Sequence, residues 1–298
     1  MSNNQFHTIT HAKCILAGEH AVLRGHPSVV FPVKCKTLEL SYQPTQHTLT
    51  ADFAAPYGEN LLIFLWRIVA ISLQMLDKDS SLIEGQFNLK NSIPMGCGLG
   101  FSSALCVAIT QWLIWQGWLE QQKLFNFARS LEDHFHGKSS GVDIAGALTN
   151  TGIIYGIKDG FKDMELNWNP YLYLSSSEHY CSTEKCIKQV EKIRAYNTKL
   201  ADTLDNEMAA SVMLAINAFK MSQQTGFAYL ASAINKANHC FREWGLITPL
   251  LEQHMDSLLN AGAVATKPTG SGGGGYVLSL WHEPPTDPNI LKILRPLF

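Results

Sequence analysis

The stretch Ile93 to Leu105, Ile-Pro-Met-Gly-Cys-Gly-Leu-Gly-Phe-Ser-Ser-Ala-Leu, sets three alternating glycines ahead of two serines and a long apolar run. That order suits a loop opening a helix. Gly96, Gly98 and Gly100 have no Cβ, so the backbone can take positive φ and let a ligand approach its amides, while Ser102 or Ser103 stands where it could cap the helix. Free N–H groups and the positive end of the helix dipole favour a phosphate there. The same pattern also serves as a plain packing joint between a strand and a helix. It is no dinucleotide fingerprint, which would need glycine at Phe101 or at Ser103. Nor is Gly137-Lys138-Ser139 a Walker loop, because Glu132 stands at the position of that motif's first glycine.

Other residues carry chemistry of their own. Lys13 interrupts an apolar run and Glu19-His20 follows it; taken singly, these suit a snorkelling edge lysine and a solvated turn. Glu132 shares a helix face with Phe125, Ala128 and Phe135 by spacing, which sets a carboxylate in an apolar stripe. A buried carboxylate wants a cation, either a structural arginine or lysine or a metal ion or active-site lysine. The turn Lys138-Ser139-Ser140-Gly141-Val142 delivers Asp143 to the next apolar segment, where it could meet Glu132 or simply cap a surface turn. His134 and His136 lack a third ligand at zinc spacing and are ordinary helix-end histidines. Near the C-terminus, Lys267-Pro268-Thr269-Gly270-Ser271 runs into four consecutive glycines, Gly272 to Gly275. So costly a run implies a backbone that passes very close to a ligand or another loop.

The elements that must position these groups follow from periodicity. Strands are expected at Phe6 to Ala17, Ser28 to Val33, Lys36 to Tyr42 and Gln86 to Lys90, with a polar connection after Tyr42 reaching about Gly58. Helices are expected near Asn60 to Leu76, Ser102 to Trp118 and Lys123 to His136, the second so apolar that it is central, with Trp112, Trp115 and Trp118 in core and interface. Gly137 is the expected C-cap. A strand at Gly152 to Ile157 precedes a polar, turn-rich stretch, Lys158 to Pro170, where the domain boundary falls, giving domains 1–165 and 166–298. The second half reads as a strand at Tyr171 to Leu174, helices near Thr183 to Tyr196, Thr198 to Met221, Gly226 to Trp244 and Thr248 to Asn260, and a strand at Tyr276 to Leu280.

At 298 residues and 46% apolar, the chain can bury a full core and sits where one core divides into two. A net charge of -2, with no basic run, gives no attraction to nucleic acid or to an anionic membrane. The N-terminus has no basic-then-apolar stretch or secretory cleavage site, and seven cysteines are scattered without metal-ligand pairs, so a cytosolic protein with reduced thiols is expected. The apolar stretches at 61–76 and 104–119 are broken by polar residues and read as core helices.

Together these stretches resemble the GHMP kinase family over nearly the whole chain. The first motif is Lys13 to Val22, the second Pro94 to Ala104 and the third Lys267 to Gly275, in the family's order and at compatible spacing. Gly18-Glu19-His20-Ala21-Val22, with His136-Gly137 ahead of Ser140-Gly141-Val142-Asp143, favours the branch that phosphorylates mevalonate over galactokinase or homoserine kinase. The resemblance implies an α+β, two-domain GHMP kinase fold. Its N-terminal domain would be like the second domain of ribosomal protein S5 and its C-terminal domain ferredoxin-like, with the glycine loops facing each other.

It also implies ATP-dependent phosphorylation of mevalonate to 5-phosphomevalonate in isoprenoid precursor synthesis. Asp143 would accept or orient the hydroxyl proton and Lys13 would lower that hydroxyl's pKa, while Glu19, His20 and Ser271 line the acceptor. Pro94, Gly96, Gly98, Leu99, Gly100, Phe101, Ser102, Ser103, Gly270 and Gly272 would hold the ATP phosphates, and Ser102 with Glu132 the Mg2+. Such chemistry needs a cradle of amides, a hard cation on oxygen ligands and a group near the nucleophile. ATP and mevalonate are the implied partners, and a homodimer is among the assemblies the family allows. Departures fall at His11-Ala12, Phe101, Lys138-Ser139 and Ser271. If Phe101 is an insertion, the metal serine becomes Ser103, and Lys138 and Ser271 leave room for phosphomevalonate or another small hydroxy acid as acceptor. A catalytically inactive ligand-binding relative would have no need of Lys13, Glu132 and Asp143 together.

Overall fold

A computed structural model describes residues 5–53, 58–79, 81, 83–137 and 139–298, so Lys138 lies outside the described residues. The chain forms β1 (Phe6–Ala17), β2 (Ser28–Thr48), β3 (Thr50–Phe53), α1 (Gly58–Met75), β4 (Glu84–Asn91), α2 (Phe101–Trp115), α3 (Leu124–His136), α4 (Val142–Leu148), β5 (Ile153–Gly156) and β6 (Gly160–Asp163). Then come β7 (Tyr171–Ser176), α5 (Thr183–Tyr196), α6 (Thr198–Lys220), α7 (Gln223–Glu243), α8 (Pro249–Asn260), β8 (Ala265–Pro268), β9 (Tyr276–Trp281), α9 (Pro288–Ile293) and β10 (Arg295–Pro296). They fall into two compact units, one of residues 1–12, 36–93 and 100–148, the other of residues 13–35, 94–99 and 149–298.

In the first unit β4 lies between β2 and β3, antiparallel to β2 with Leu40 opposite Leu89 and parallel to β3 with Ala51 opposite Phe87. Alternation in β4 buries Phe87, Leu89 and Asn91 while Asn88 and Lys90 face water, as one buried sheet face requires. The helix α2 is buried along nearly its whole length, from Phe101 through Leu113, and α3 and α4 pack on it. Trp112 is fully buried, 4.9 Å from Phe87 ring to ring.

The second unit holds a four-stranded sheet in the order β10-β7-β9-β8, antiparallel throughout, with α7 and α8 packed against β8. Its core includes Leu204, Met208, Ala237, Phe241 and Trp244 from α6, α7 and the turn after it. In the same unit, Ser28 to Val30 of β2 pair with β5, and β5 with β6.

The structure departs from the sequence reading in several places, among them β6, which lies inside the stretch expected to be turn. The strands expected at 28–33 and 36–42 are one strand, since the exposed side chains of Lys34 and Cys35 mark a solvated stretch of extended chain rather than a turn. The polar connection after Tyr42 is largely strand, because β2 continues to Thr48 and β3 follows. β8, hidden in sequence by its neighbouring glycines, is fully buried. Neither serine caps α2: Gly100, left-handed at φ 78°, is the N-cap with no side-chain bond, which leaves both serines inside the first turn.

Candidate active site

The first unit builds the surroundings of Glu132 and Asp143. Glu132 is 3% exposed on α3, and each of its carboxylate oxygens receives a hydroxyl: Ser103 Oγ of α2 donates to Oε1, and Ser139 Oγ donates to Oε2 at 2.7 Å. The turn after α3 is fixed independently, since Ser139 N–H donates to Asp133 Oδ1 at 2.6 Å and Arg129 donates to the Ser139 carbonyl at 2.9 Å. Asp143 lies half-buried in the first turn of α4, which packs beside α3. Phe101 is buried with its ring edge-on to Phe64 at 5.9 Å, so only its backbone is available to a phosphate. Ser102 is half-buried one residue further on.

The second unit brings the other sequence motifs together. Lys13 N–H donates to the Leu99 carbonyl at 2.9 Å, joining the first motif to the glycine loop. Thr269 joins it to the C-terminal glycine cluster, accepting from Ile15 N–H at 2.9 Å and donating to the Ile15 carbonyl at 3.1 Å. The two glycine loops then interlock. A Cβ on Gly275 would lie 2.6 Å from the Cys97 carbonyl, one on Gly98 2.9 Å from that of Thr269, and one on Gly270 3.0 Å from Gly98. All three glycines have positive φ, so both the space and the conformation exclude a side chain. The close approach expected of the four-glycine run is thus an approach to another loop. Pro94 and Gly98 are half-buried, Gly96 is exposed, Leu99 is buried, and Gly270 and Gly272 are buried in the facing loop. A small pocket opens between the loops, lined by Gly96, Gly98, Ser271 and Gly272, with Cys181 and Thr183 at the start of α5.

Lys13, Glu19 and His20 are buried at 1%, 2% and 6% exposure, which overturns the edge-lysine and solvated-turn readings. Glu19 Oε1 accepts from Lys267 Nζ, which also donates to the Ile15 carbonyl at 3.1 Å. Its other oxygen, Oε2, is buried with no hydrogen-bond partner among the described residues. Burial pushes the Glu19 carboxyl up against the pull of Lys267. His20 Nε2 lies 2.9 Å from the Ser271 carbonyl, and because a carbonyl only accepts, Nε2 carries the proton. Burial lowers the His20 pKa to about 4. Its backbone is held at φ 56°, unusual for a residue with a Cβ, and its ring meets those of Phe241 and Trp244 edge-on at 6.1 and 5.1 Å.

Sequence reasoning missed Lys267 and Thr269 as working groups. Their only signal was a place at the head of the third motif, where the glycines drew the attention. Ser139 was visible only as a departure from the family pattern. Among the described residues no group of three or more His, Cys, Asp and Glu could hold a metal ion, and no helix is long and apolar enough to cross a membrane.

The α+β fold matches that of solved GHMP-type kinases, and residues 65–151 match the family described as "GHMP kinases N terminal domain". Among the proteins of that class, the chain resembles mevalonate kinases. It is 24% identical to the mevalonate kinase of Thermococcus sibiricus over 91% of this chain and 88% of that protein. The structure of L. major mevalonate kinase in complex with R-mevalonate superposes with a TM-score of 0.79 at 22% identity, covering 95% of this chain and 90% of that one. Streptococcus pneumoniae phosphomevalonate kinase, in complex with phosphomevalonate and AMPPNP, gives 0.72 at 14% identity over 98% of each chain.

Proposed function

We propose that this GHMP kinase transfers the γ-phosphoryl group of ATP to the hydroxyl of mevalonate, giving 5-phosphomevalonate. The observation that carries the reading is the interlock of the three motif segments in one unit: Lys13 on Leu99, Ile15 on Thr269 and Gly275 on Cys97. A plain packing joint would need glycines, but not a buried lysine, glutamate and histidine gathered beside them.

The exposed Gly96 and half-buried Gly98 would offer amides to phosphate oxygens, with Gly270 and Gly272 facing them. Glu19, His20 and Ser271 would line the acceptor. Glu19 Oε2, buried with a lone pair to spare, suits a hydroxyl donor on that acceptor. Lys13 would lower the pKa of the attacking hydroxyl and Asp143 would orient it and take its proton.

The donors around Glu132 fit magnesium. They are all oxygens, one carboxylate with serine hydroxyls, and magnesium binds few protein ligands while keeping waters and substrate phosphates. Glu132 and Ser102 would hold the ion, which when bound neutralises developing phosphate charge. Ser103 and Ser139 orient the carboxylate.

A coupled assay of ADP release over a panel of small alcohols and acids tests the reading. Turnover is expected with mevalonate and ATP, and loss of it with EDTA. Turnover confined to phosphomevalonate or another hydroxy acid overturns the acceptor, and no turnover with any acceptor favours an inactive ligand-binding relative.

A further inference from the structure

Cys181 and Cys186 form a pair of thiols that the proposed reaction does not use. Ser182 is the N-cap of α5, its hydroxyl accepting from Lys185 N–H at 3.2 Å, so Cys181 is the residue before the cap and Cys186 the fourth in the helix. Those two positions meet across the first turn in many helices, usually as two apolar side chains. Here they are two sulfurs 3.7 Å apart. Cys181 is half-buried and lines the pocket between the glycine loops, while Cys186 is 2% exposed.

The pair is also built into the glycine cluster. Cys186 donates its S–H to the Gly272 carbonyl at 3.3 Å. A Cβ on Gly273 would lie 3.1 Å from Cys181 Sγ and 3.2 Å from Cys186 Sγ, so the loop rests against both sulfurs. Bringing sulfurs from 3.7 Å to a bond of about 2.05 Å is a movement within reach of side-chain rotation in a first turn. It would take away the donor that Gly272 now has and draw Cys181 off the pocket wall.

We propose that Cys181 and Cys186 are an oxidation site, closed to a disulfide by a peroxide, and that closing it remodels the Gly270–Gly275 loop and lowers the activity proposed above. The Cys181 thiolate attacks one peroxide oxygen; the O–O bond breaks, water or an alcohol leaves, and Cys181 becomes a sulfenic acid. The Cys186 sulfur then attacks that sulfur. The S–S bond forms, the S–O bond breaks, and the departing hydroxide takes the Cys186 proton as water. Two thiols lose two electrons and the peroxide gains them. Cys181 is the accessible partner; burial holds Cys186 up at about 12, so it keeps its proton until the second step.

The test treats the whole protein with stoichiometric hydrogen peroxide and maps disulfides by mass spectrometry, alongside hydrogen exchange over residues 270–276 and mevalonate-dependent ADP release. The expected result is a Cys181–Cys186 cross-link, altered exchange in the loop, and a fall in kcat/KM on the order of tenfold or more that dithiothreitol reverses. Cys186→Ser, which keeps a donor for Gly272, should form no cross-link and leave Cys181 as a sulfenic acid that dimedone traps. A cross-link through Cys97 instead, no cross-link, or a cross-link with unchanged exchange or unchanged kcat/KM overturns the proposal. The activity readout rests on the kinase reading; if the reduced protein has no such activity that reading fails, and the mapping and exchange still decide the oxidation site.

Discussion

Lys267 and Glu19, 248 positions apart in the chain, form an ion pair that is almost wholly out of water, with Lys267 Nζ also 5.3 Å above the ring of Phe241. Removing one partner from such a pair strands the other. Lys267→Met is expected to cost about 3–5 kcal/mol, because the buried Glu19 carboxylate would lose its hydrogen-bonded partner. Glu19→Gln added to it should recover part of that loss. Urea denaturation of both variants checks this; equal stability of Lys267→Met and wild type would show that the pair contributes nothing.

His20 supplies a pH dependence whose sign is fixed. Its pKa falls from 6.5 to about 4 on burial, so between those values the unfolded chain binds the extra proton and the folded one does not. The stability contributed by neutral His20 is therefore present above pH 6.5 and lost as pH drops toward 4, about 3 kcal/mol in all. Carboxylates titrate in the same window, so the measurement is the difference between wild type and His20→Gln, whose amide can still donate to the Ser271 carbonyl. Parallel stability curves for the two would refute it.

Glu132→Gln should raise the magnesium concentration needed for half-maximal activity while the fold survives, since an amide is a poorer ligand for a hard cation than a carboxylate. The two serines separate by the same titration. Ser102→Ala should shift the magnesium requirement more than Ser103→Ala, whose hydroxyl already serves Glu132. The reverse order would transfer the metal role to Ser103, and flat titrations throughout would make Glu132 a structural acid.

Asp143→Asn should lower kcat by a factor on the order of 10² to 10⁴ with ATP binding retained, because the amide keeps the shape and loses the base. Single-turnover rates with nucleotide affinity measured in parallel distinguish the possibilities. Weakened ATP binding at unchanged kcat would make Asp143 a nucleotide or metal ligand instead.

Much of this protein is legible in its sequence. Periodicity placed α1, α3, α5, α6 and α8 within a few residues, and the glycine runs around Gly98 and Gly272 announced a backbone that must come close to something. Those signals are local: residue type and spacing set propensity, apolar faces and permissible φ, and a run of a few residues carries all of it.

The tertiary structure decided the partners. Local sequence allowed Ser102 or Ser103 to cap α2; in the fold Gly100 takes the cap, and the packing of α3 beside α2 gives the Ser103 hydroxyl an acceptor in Glu132. It made Lys13, Glu19 and His20 buried groups where spacing alone favoured solvated ones. It also joined the two glycine loops to each other. Each of these depends on which distant segment supplies the neighbouring atom, such as Lys267 for Glu19 or Thr269 for Ile15. A buried polar group's partner is fixed by chain topology and close packing, which no window of adjacent residues contains.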